Sequence, residues 1–567
     1  MHIPDSAPRA SLYYDYQIYP FKRPPELEGE SIRHPVAIVG AGPIGLVTAL
    51  DLARYGIPSV VIEADVQVSH GSRAIVFTRR SMEILQQVGV ADRVMEKALP
   101  WRCGNSIYRG QKVFRMEAPY DEDDRYQPMQ NLQQQYLEEY LVDQVEAEPL
   151  IDLRWGTKLV SLENRGDGVS LMLDTPEGEY QLNCDWLVAA DGAKSTVRGL
   201  AGLRMEGDSY TGNFVIADIK VEIDLPTERL AFFDPDWNPG NTILMHREPE
   251  GIWRLDYQLP EGETAEQALE PDALNSRIQA QLDMIGIDAS WELDWCSVYS
   301  ARAMTLTDYV DGRVLYTGDA AHMLPIFGVR GANTGWQDCH NLAWKLAFVI
   351  KGWSEKALLK TYSQERVTAA REIIDEAGKS TRFMTPPHRG YRLLRDATLS
   401  LSLSEDFVRP LFHWRTSRAH DYLSSELNSL SDDNARFTTG PVDGAPALSI
   451  KLGEGDYLFD RLGAAFYLFY FTDETELPQS LKVMRDSIRG RGVPFEVVVI
   501  SSTGKCSHEG RVITDKDGHM AQRYGANTGT AYLVRPDQHI CGRWKTVDNG
   551  DLLTALQRAM GNSVWEV

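Results

Sequence analysis

Positive charge, paired cysteines and long apolar runs are all scarce in this sequence. Lys and Arg number 58 against 81 Asp and Glu, for a formal net charge of −23. Such an acidic excess argues against a nucleic-acid partner or an anionic membrane surface, while leaving room for a local basic patch around an anionic substrate. The six cysteines, Cys103, Cys184, Cys296, Cys339, Cys506 and Cys541, lie far apart and form no CxxC. Zinc-knuckle and thioredoxin-type dithiol chemistry therefore find no support, and scattered thiols fit a reducing cytoplasm. The apolar run Val36 to Leu50 is broken by three glycines and Pro43. It is too discontinuous for a membrane span, and the charged segment before it does not read as a secretory leader. A cytoplasmic protein without a stable membrane anchor is expected. No HxxxH and no GxSxG occur, so neither a metal site nor a hydrolase elbow is expected.

What is present reads as several domains, because 567 residues are too many for one core. Residues 1–34, with Pro20, Pro24 and Pro25, suggest an extended arm. HPVAIVGAGPIGLVTALDLARYGIPSVVIEA then reads as strand, glycine turn, amphipathic helix and strand, one βαβ unit. From 205 to 299 the texture becomes short alternating stretches such as FVIADIKVEI and GIWRLDYQLP, suited to a sheet with one ligand-facing side. NLAWKLAFVIKG continues a helical pattern with an apolar stripe, residues 381–424 read as helical, and 425–446, rich in Ser, Asp, Asn, Gly and Pro, read as a linker. AAFYLFYFT, FEVVVISS and AYLVRP then suggest a small α/β domain over 447–567.

Three strand-to-turn sites carry candidate chemistry. In VGAGPIGL, Gly40, Gly42 and Gly45 form GxGxxG, and Glu63 closes the following strand. The first glycine makes the turn, the second admits a pyrophosphate to backbone N–H groups, the third lets helix and strand touch, and the acid can take ribose hydroxyls. LVAADGAKSTVRGL ends a buried strand at Asp191-Gly192, with Ser195 and Arg198 following. RVLYTGDAAHMLPIFGVRGANTG delivers Asp319 at a strand end and continues through a glycine-rich loop into a helix. Taken singly, the second and third are capped turns.

Taken together, in this order and spacing, over about residues 35–380, they resemble the class A FAD-dependent aromatic monooxygenases. Within that group the resemblance points more narrowly to the phenol hydroxylase and 3-(3-hydroxyphenyl)propionate hydroxylase branch of the p-hydroxybenzoate hydroxylase superfamily. The resemblance implies an α/β fold. A Rossmann-like FAD-binding domain (35–204 and 300–380) would carry an inserted antiparallel substrate sheet (205–299, α+β in character) and a C-terminal thioredoxin-like domain without CxxC. It implies non-covalent FAD held by Gly40, Gly42, Pro43, Ile44, Gly45, Glu63, Ala64, Arg73, Gln134 (with Gln133 the competing register), Asp191, Gly192, Gly318, Asp319, Pro325, Gly331, Ala332 and Asn333. His322 falls to loop architecture.

The family chemistry implied is reduction of FAD by NADPH or NADH, capture of O2 as a flavin C4a-hydroperoxide, and attack on an electron-rich ring. A phenol attacks better as phenolate, so a polar acceptor or a positive charge is expected beside a small aromatic substrate. Tyr257 and His246 are candidates for the ring hydroxyl, Arg254 for a carboxylate, and Pro325 for the flavin face of the pocket. Alternation sets Trp253, Leu255 and Tyr257 against Arg254, Asp256 and Gln258, and only one set can face the flavin. A homodimer is implied, with the C-terminal domain in a structural or dimer-supporting role. The competing readings are epoxidation or reduction on the same fold, and a non-catalytic dinucleotide-fold carrier; no WxWxIP supports a halogenase.

Overall fold

The computed structural model describes residues 1–562 apart from 326, 413 and 414; the side chains of 210, 211 and 301 and all of 563–567 lie outside the description. The first sheet runs Val310–Asp311, Val314–Tyr316, Gly178–Ala189, Arg33–Val39, Ser59–Ile62, Ile151–Arg154, with Val169–Thr175 and Lys158–Asn164 extending it as antiparallel strands. Its pairs from Val314–Tyr316 across to Ile151–Arg154 are parallel. The fully buried strands Ser59–Ile62 and Val314–Tyr316 and the ends of Arg33–Val39 and Gly178–Ala189 read as apolar runs, as strands covered on both faces do. The strand ends stay in ladder: Gly40 N–H donates to Ile62 O at 2.8 Å, Ala190 N–H to Val39 O at 2.9 Å, and Thr317 N–H to Ala189 O at 3.0 Å. The three glycine and aspartate turns therefore leave one edge of the sheet side by side.

Helix Pro43–Ala53 crosses helix Gly331–Ile350 on this sheet. Close approach is possible because a Cβ on Gly335 would lie 2.7 Å from Ile44 Cδ1, and one on Gly318 would lie 3.1 Å from Ile44 Cγ1. Ile44 thus packs into a notch made by two glycines. Helix Gly331–Ile350 is buried on nearly every side, Lys345 and Asn341 included, so it is wider in its burial than the apolar stripe expected of NLAWKLAFVIKG.

The second sheet is antiparallel except for one parallel pair, and runs His322–Met323, Trp291–Thr305, Glu206–Val221, Ile252–Gln258, Thr242–Arg247, Arg229–Phe233, Cys103–Tyr108, Gln111–Glu117. Two of its strands come from 103–117, inside the stretch assigned by sequence to the FAD-binding part, and its long strand continues to Thr305 rather than stopping at 299. Helix Pro271–Met284 covers one face: Leu274, Ile278 and Leu282 pack on Val215, Ala217, Ile219, Trp253, Leu255 and Tyr257. The opposite face turns toward the first sheet.

Beyond helices Leu358–Met384 and Arg389–Leu401, residues 425–446 contain only one short 3-10 turn, and they are well anchored. Ser429 N–H donates to Cys541 O at 2.7 Å, and the Arg543 guanidinium binds Asn434 and the carbonyls of Thr439, Gly440 and Pro441. A free linker is therefore not what this segment forms. The C-terminal sheet orders Arg511–Thr514, Phe495–Ser501, Phe466–Phe471, Ala531–Val534, Ile540–Trp544; the first three are parallel, the last two antiparallel to their neighbours.

Candidate functional site

The glycine turn is shaped by three different demands. Gly40 has φ +106°, and a Cβ there would meet Ala190 O at 2.5 Å; a Cβ on Gly45 would collide with Gly40 O. Gly42 has an ordinary φ of −73° and a Cβ on it would touch nothing within 4 Å. Two glycines are thus required by the protein's own packing, and the middle one keeps space beside a helix N-terminus whose first residue is Pro43. That is a cradle for an anion.

Glu63 lies across the turn, its carboxylate accepting from Ala41 N–H at 2.8 Å and Asp65 N–H at 3.0 Å, with burial raising its pKa. Ala64 continues the strand end and its carbonyl meets His2 at 2.7 Å. Arg73 has φ +37° and an exposed side chain at the tip of the 69–74 turn. Gln134 braces that turn: its Oε1 accepts from Ala74 N–H at 3.1 Å and its Nε2 donates to Glu138 at 2.7 Å. Gln133 points elsewhere, donating to Pro249 O at 3.0 Å at the end of the second sheet.

The two aspartate turns are tied to each other. Asp191 accepts from Val197 N–H at 3.0 Å, and burial pushes its pKa up. Ser195 caps the short helix that follows, accepting from Arg198 N–H at 3.0 Å. The Arg198 guanidinium donates to Ala193 O at 2.7 Å and, across the groove, to Ala320 O at 2.9 Å. Gly192 (φ +75°) has nothing within 4 Å of a notional Cβ, and Gly318 adopts φ +58°. Asp319 is walled by protein, which raises its pKa, yet its side chain opens to the groove.

Behind that turn Asp338 accepts from His322 Nε2 at 2.6 Å, Gly318 N–H at 3.1 Å and Arg366 Nε at 2.6 Å. Burial opposes its ionisation, but His322 and Arg366 outweigh burial and hold its pKa low. His322 is therefore a buttress of the Gly318 turn. Sequence reasoning missed Asp338 and Arg366, whose only sequence signal was charge within helices expected to be apolar on their inner faces.

Helix Gly331–Ile350 begins beside Pro325 and Phe327, with the N–H groups of its first turn aimed out of the helix. Gly331 leaves open space where a Cβ would sit. The Asn333 side chain is fully engaged within the protein. Its Oδ1 accepts from Thr78 N–H at 2.9 Å and Ser81 Oγ at 2.6 Å, and its Nδ2 donates to Val76 O at 2.8 Å and Val329 O at 2.7 Å. The side chain rivets two loops, so only its backbone, with that of Gly331 and Ala332, is left for a ligand.

The second sheet resolves which strand face looks inward. Opposite residues in antiparallel pairs share a face. The register sets Ile216 and Leu244 beside Asp256, and Asp218 and His246 beside Arg254. Neighbouring rows bring Phe214, Phe233, Tyr108 and Tyr299 against Phe327 of the loop that follows Pro325. Tyr257 is on the other face, edge-on to Trp237 at 5.6 Å and packed under helix Pro271–Met284. It cannot meet a ring hydroxyl in this pocket, and its candidacy is withdrawn.

Arg254 does face inward, but it is already engaged. Three of its five donors go to Asp218 at 3.1 Å, Arg73 O at 2.6 Å and Ser72 Oγ. Burial disfavours its charge; Asp218, Glu248 and Asp256 more than compensate and keep its pKa above the ordinary value. It is a strut from the sheet to the 72–73 turn rather than a free carboxylate receptor. His246, also buried, is held neutral by burial and by Arg229 and Arg254, its pKa well below the usual imidazole value.

Size alone does not mark this site. A cleft of about 910 Å³ lies at the opposite, amino end of the first sheet, lined by Trp186, Asp308, Arg313, Lys360 and Arg371. Among the described residues no group of three His, Cys, Asp or Glu could hold a metal ion, and no helix is long and apolar enough to cross a membrane.

Comparison with known proteins bears on the whole arrangement. Residues 33–377 match the FAD binding domain family. The 3-(3-hydroxy-phenyl)propionate/3-hydroxycinnamic acid hydroxylase of Escherichia coli (strain K12) is 27% identical over 515 residues, 89% of this chain and 91% of its own. The protein of the same name from Burkholderia cenocepacia (strain HI2424) is 27% identical over 544 residues, covering 93% and 96%. Among solved structures, a ternary complex of aklavinone-11 hydroxylase with FAD and aklavinone aligns with TM-score 0.74 at 25% identity, over 94% of this chain and 99% of that one. The flavin-dependent monooxygenase PieE in complex with FAD and substrate aligns with TM-score 0.76 at 24% identity, over 94% and 100%.

Proposed function

The chain belongs to the FAD binding domain family, and from that premise we propose that it hydroxylates a phenolic or similarly activated aromatic ring, using NADPH or NADH and O2. The observation that carries the reading is the convergence of three strand-end turns on one groove whose far wall is the inner face of a second sheet. The donor set fits a dinucleotide. A helix N-terminus with open space at Gly42 suits the pyrophosphate, Glu63 and Ala64 with Arg73 and Gln134 suit the adenosine side, and Asp191, Gly192, Gly318 and Asp319 suit the ribityl side. Pro325 and the backbone of Gly331, Ala332 and Asn333 suit the flavin ring. FAD, when bound there, supplies electron transfer from the nicotinamide donor and activation of O2 for transfer of one oxygen atom to the ring.

The chain's own part is to orient, to exclude water and to hold charge. Helix Gly331–Ile350 presents its positive end to the ring side, which favours an anionic reduced cofactor. The aromatic row around Phe214, Tyr299 and Phe327 offers a dry seat for a substrate ring. A homodimer belongs to the same reading, with exposed Leu393, Leu394 and Phe407 as apolar surface available to it. The order and directions of the C-terminal strands support a thioredoxin-like domain, used structurally because it holds no CxxC.

The test is direct. Purified protein should carry flavin absorbance and should oxidise NADPH or NADH faster when given phenols, hydroxybenzoates or hydroxyphenylpropionates, with hydroxylated product formed. A protein that cannot be reconstituted with FAD would sink the reading. Asp319→Ala should weaken FAD retention by roughly 10- to 100-fold, the loss of one charge-assisted contact of about 1.5–3 kcal/mol. Equilibrium dialysis of the flavin measures it; unchanged affinity would remove Asp319 from the cofactor's contacts.

A further inference from the structure

Resting on that hydroxylase reading, we propose that Asp256 is the group that takes the proton from the ring hydroxyl of the aromatic substrate. Among the described residues its carboxylate makes no hydrogen bond and no ion pair, although the residue is only 8% exposed. A buried, unpaired carboxylate is costly to keep unless something is meant to meet it. Its place in the sheet says what that is. Asp256 sits in the middle of the inner face, between Ile216 and Leu244, with the aromatic row of Phe214, Tyr299 and Phe327 on one side and the charged row of Asp218, Arg254 and His246 on the other. Ile216 is half-buried where the outward Val215 and Ala217 are fully buried, so the centre of this face borders open space. A ring seated on the aromatic row turns its hydroxyl toward Asp256.

No neighbour can do this work instead. Asp218 is committed to Ser72 and Arg254. Glu248 is paired with Arg254 at 3.6 Å, and burial and Asp218 push its pKa well above the usual carboxylate value. His246 is too weak a base beside Arg229 and Arg254. Tyr299 is held as a neutral phenol by burial and by Asp256 itself. For Asp256, burial and Asp218 push the pKa up, Arg254 and Arg229 pull it down, and it comes to about 6. It is therefore ionised at neutral pH and closer to a phenol's pKa of about 10 than an ordinary carboxylate is.

In the step, the ring O–H bond breaks, its electron pair stays on the ring oxygen, and the proton forms an O–H bond on Asp256. The net charge of the pocket does not change, and Arg254 and Arg229 face an anion before and after. The resulting phenolate is the stronger nucleophile toward the oxygen donor.

The FAD-loaded protein tests this with 4-nitrophenol, whose phenolate is coloured, and with 3-(3-hydroxyphenyl)propionate in turnover. The wild type should bind 4-nitrophenol as phenolate down to about pH 6, and Asp256→Asn should bind it as the neutral phenol with FAD content unchanged. In turnover, Asp256→Asn should lose about 100-fold in product formed per unit time. The acid limb near pH 6 should disappear with it, and Asp256→Glu should restore part of both. Phenolate bound equally by wild type and Asp256→Asn would overturn the proposal. Phenolate bound only by the wild type, without any hydroxylated product, would uphold Asp256 and bring down the hydroxylase reading alone.

Discussion

Gly42→Ala and Gly45→Ala should both abolish flavin binding, yet only Gly45→Ala should damage the flavin-free protein. At Gly45 the added methyl strikes the Gly40 carbonyl, and with Gly40 itself wedged against Ala190 there is no flexible atom to give way. The helix must lift from the strand, at a cost expected in the range of overpacked cores, about 1–3 kcal/mol or more. At Gly42 the methyl meets no protein atom and the backbone conformation suits alanine. Only a molecule brought up to that turn can object, so FAD affinity should fall by 100-fold or more while the melting temperature of the apoprotein stays where it was. Thermal melts of apoprotein beside flavin titrations separate the two cases. If Gly42→Ala binds FAD normally, the pyrophosphate does not approach there.

Glu365→Ala should be among the most destabilising single changes in the chain. Its carboxylate is buried and accepts from Lys345 at 2.7 Å, Asn341 at 2.7 Å, Arg535 at 2.6 Å and Ser425 at 2.5 Å. Burial opposes its charge, but Arg535 and Lys345 prevail and its pKa lies below the carboxylate range. Removing it leaves Lys345 a buried cation without its carboxylate and Arg535 with Asp537 alone, a loss of about 3–5 kcal/mol. Chemical denaturation at pH 7.5 would show it, and a change under 1 kcal/mol would refute it.

Lys345 gives a matching signature in pH. Burial brings its pKa down to about 8 against the pull of Glu365, whereas the unfolded chain keeps it near 10.4. Between those values the unfolded state binds more protons, so stability from this group rises with pH over that window. Lys345→Met should flatten that rise.

The proposed cofactor side of the candidate site was legible as a set of turns because its residues sit at strand ends, where residue type and spacing are dictated locally: glycine for a positive φ, aspartate where a chain turns. The substrate side was not. Whether Tyr257 or Asp256 looks inward depends on which face helix Pro271–Met284 covers, and that is decided by register across four strands, beyond any single stretch. Arg254 was read as available because its partners, Ser72 and Asp218, are remote in sequence. Alternation had already grouped Asp256 with Arg254 on the face opposite Tyr257, and only the choice of face was missing. The segment 425–446 misled for a related reason: Ser, Asp and Asn suit a linker, and equally suit a strap tied down by hydrogen bonds such as those of Ser429 and Asn434.

The Glu365 cluster also sets where this polypeptide can be divided. Arg535 and Asp537 reach into it from the C-terminal sheet, and Arg80 returns the contact by donating to Asp537 O at 2.9 Å and Gln538 at 2.6 Å. A truncation at 425–446 would open Lys345 and Glu365 to water, and Lys345 lies on the helix that starts at the groove. The last third of the chain is therefore a poor candidate for exchange between homologues, for expression as a fragment, or for removal to make a minimal enzyme, unless positions 80, 341, 345, 365, 535 and 537 are inherited as one block.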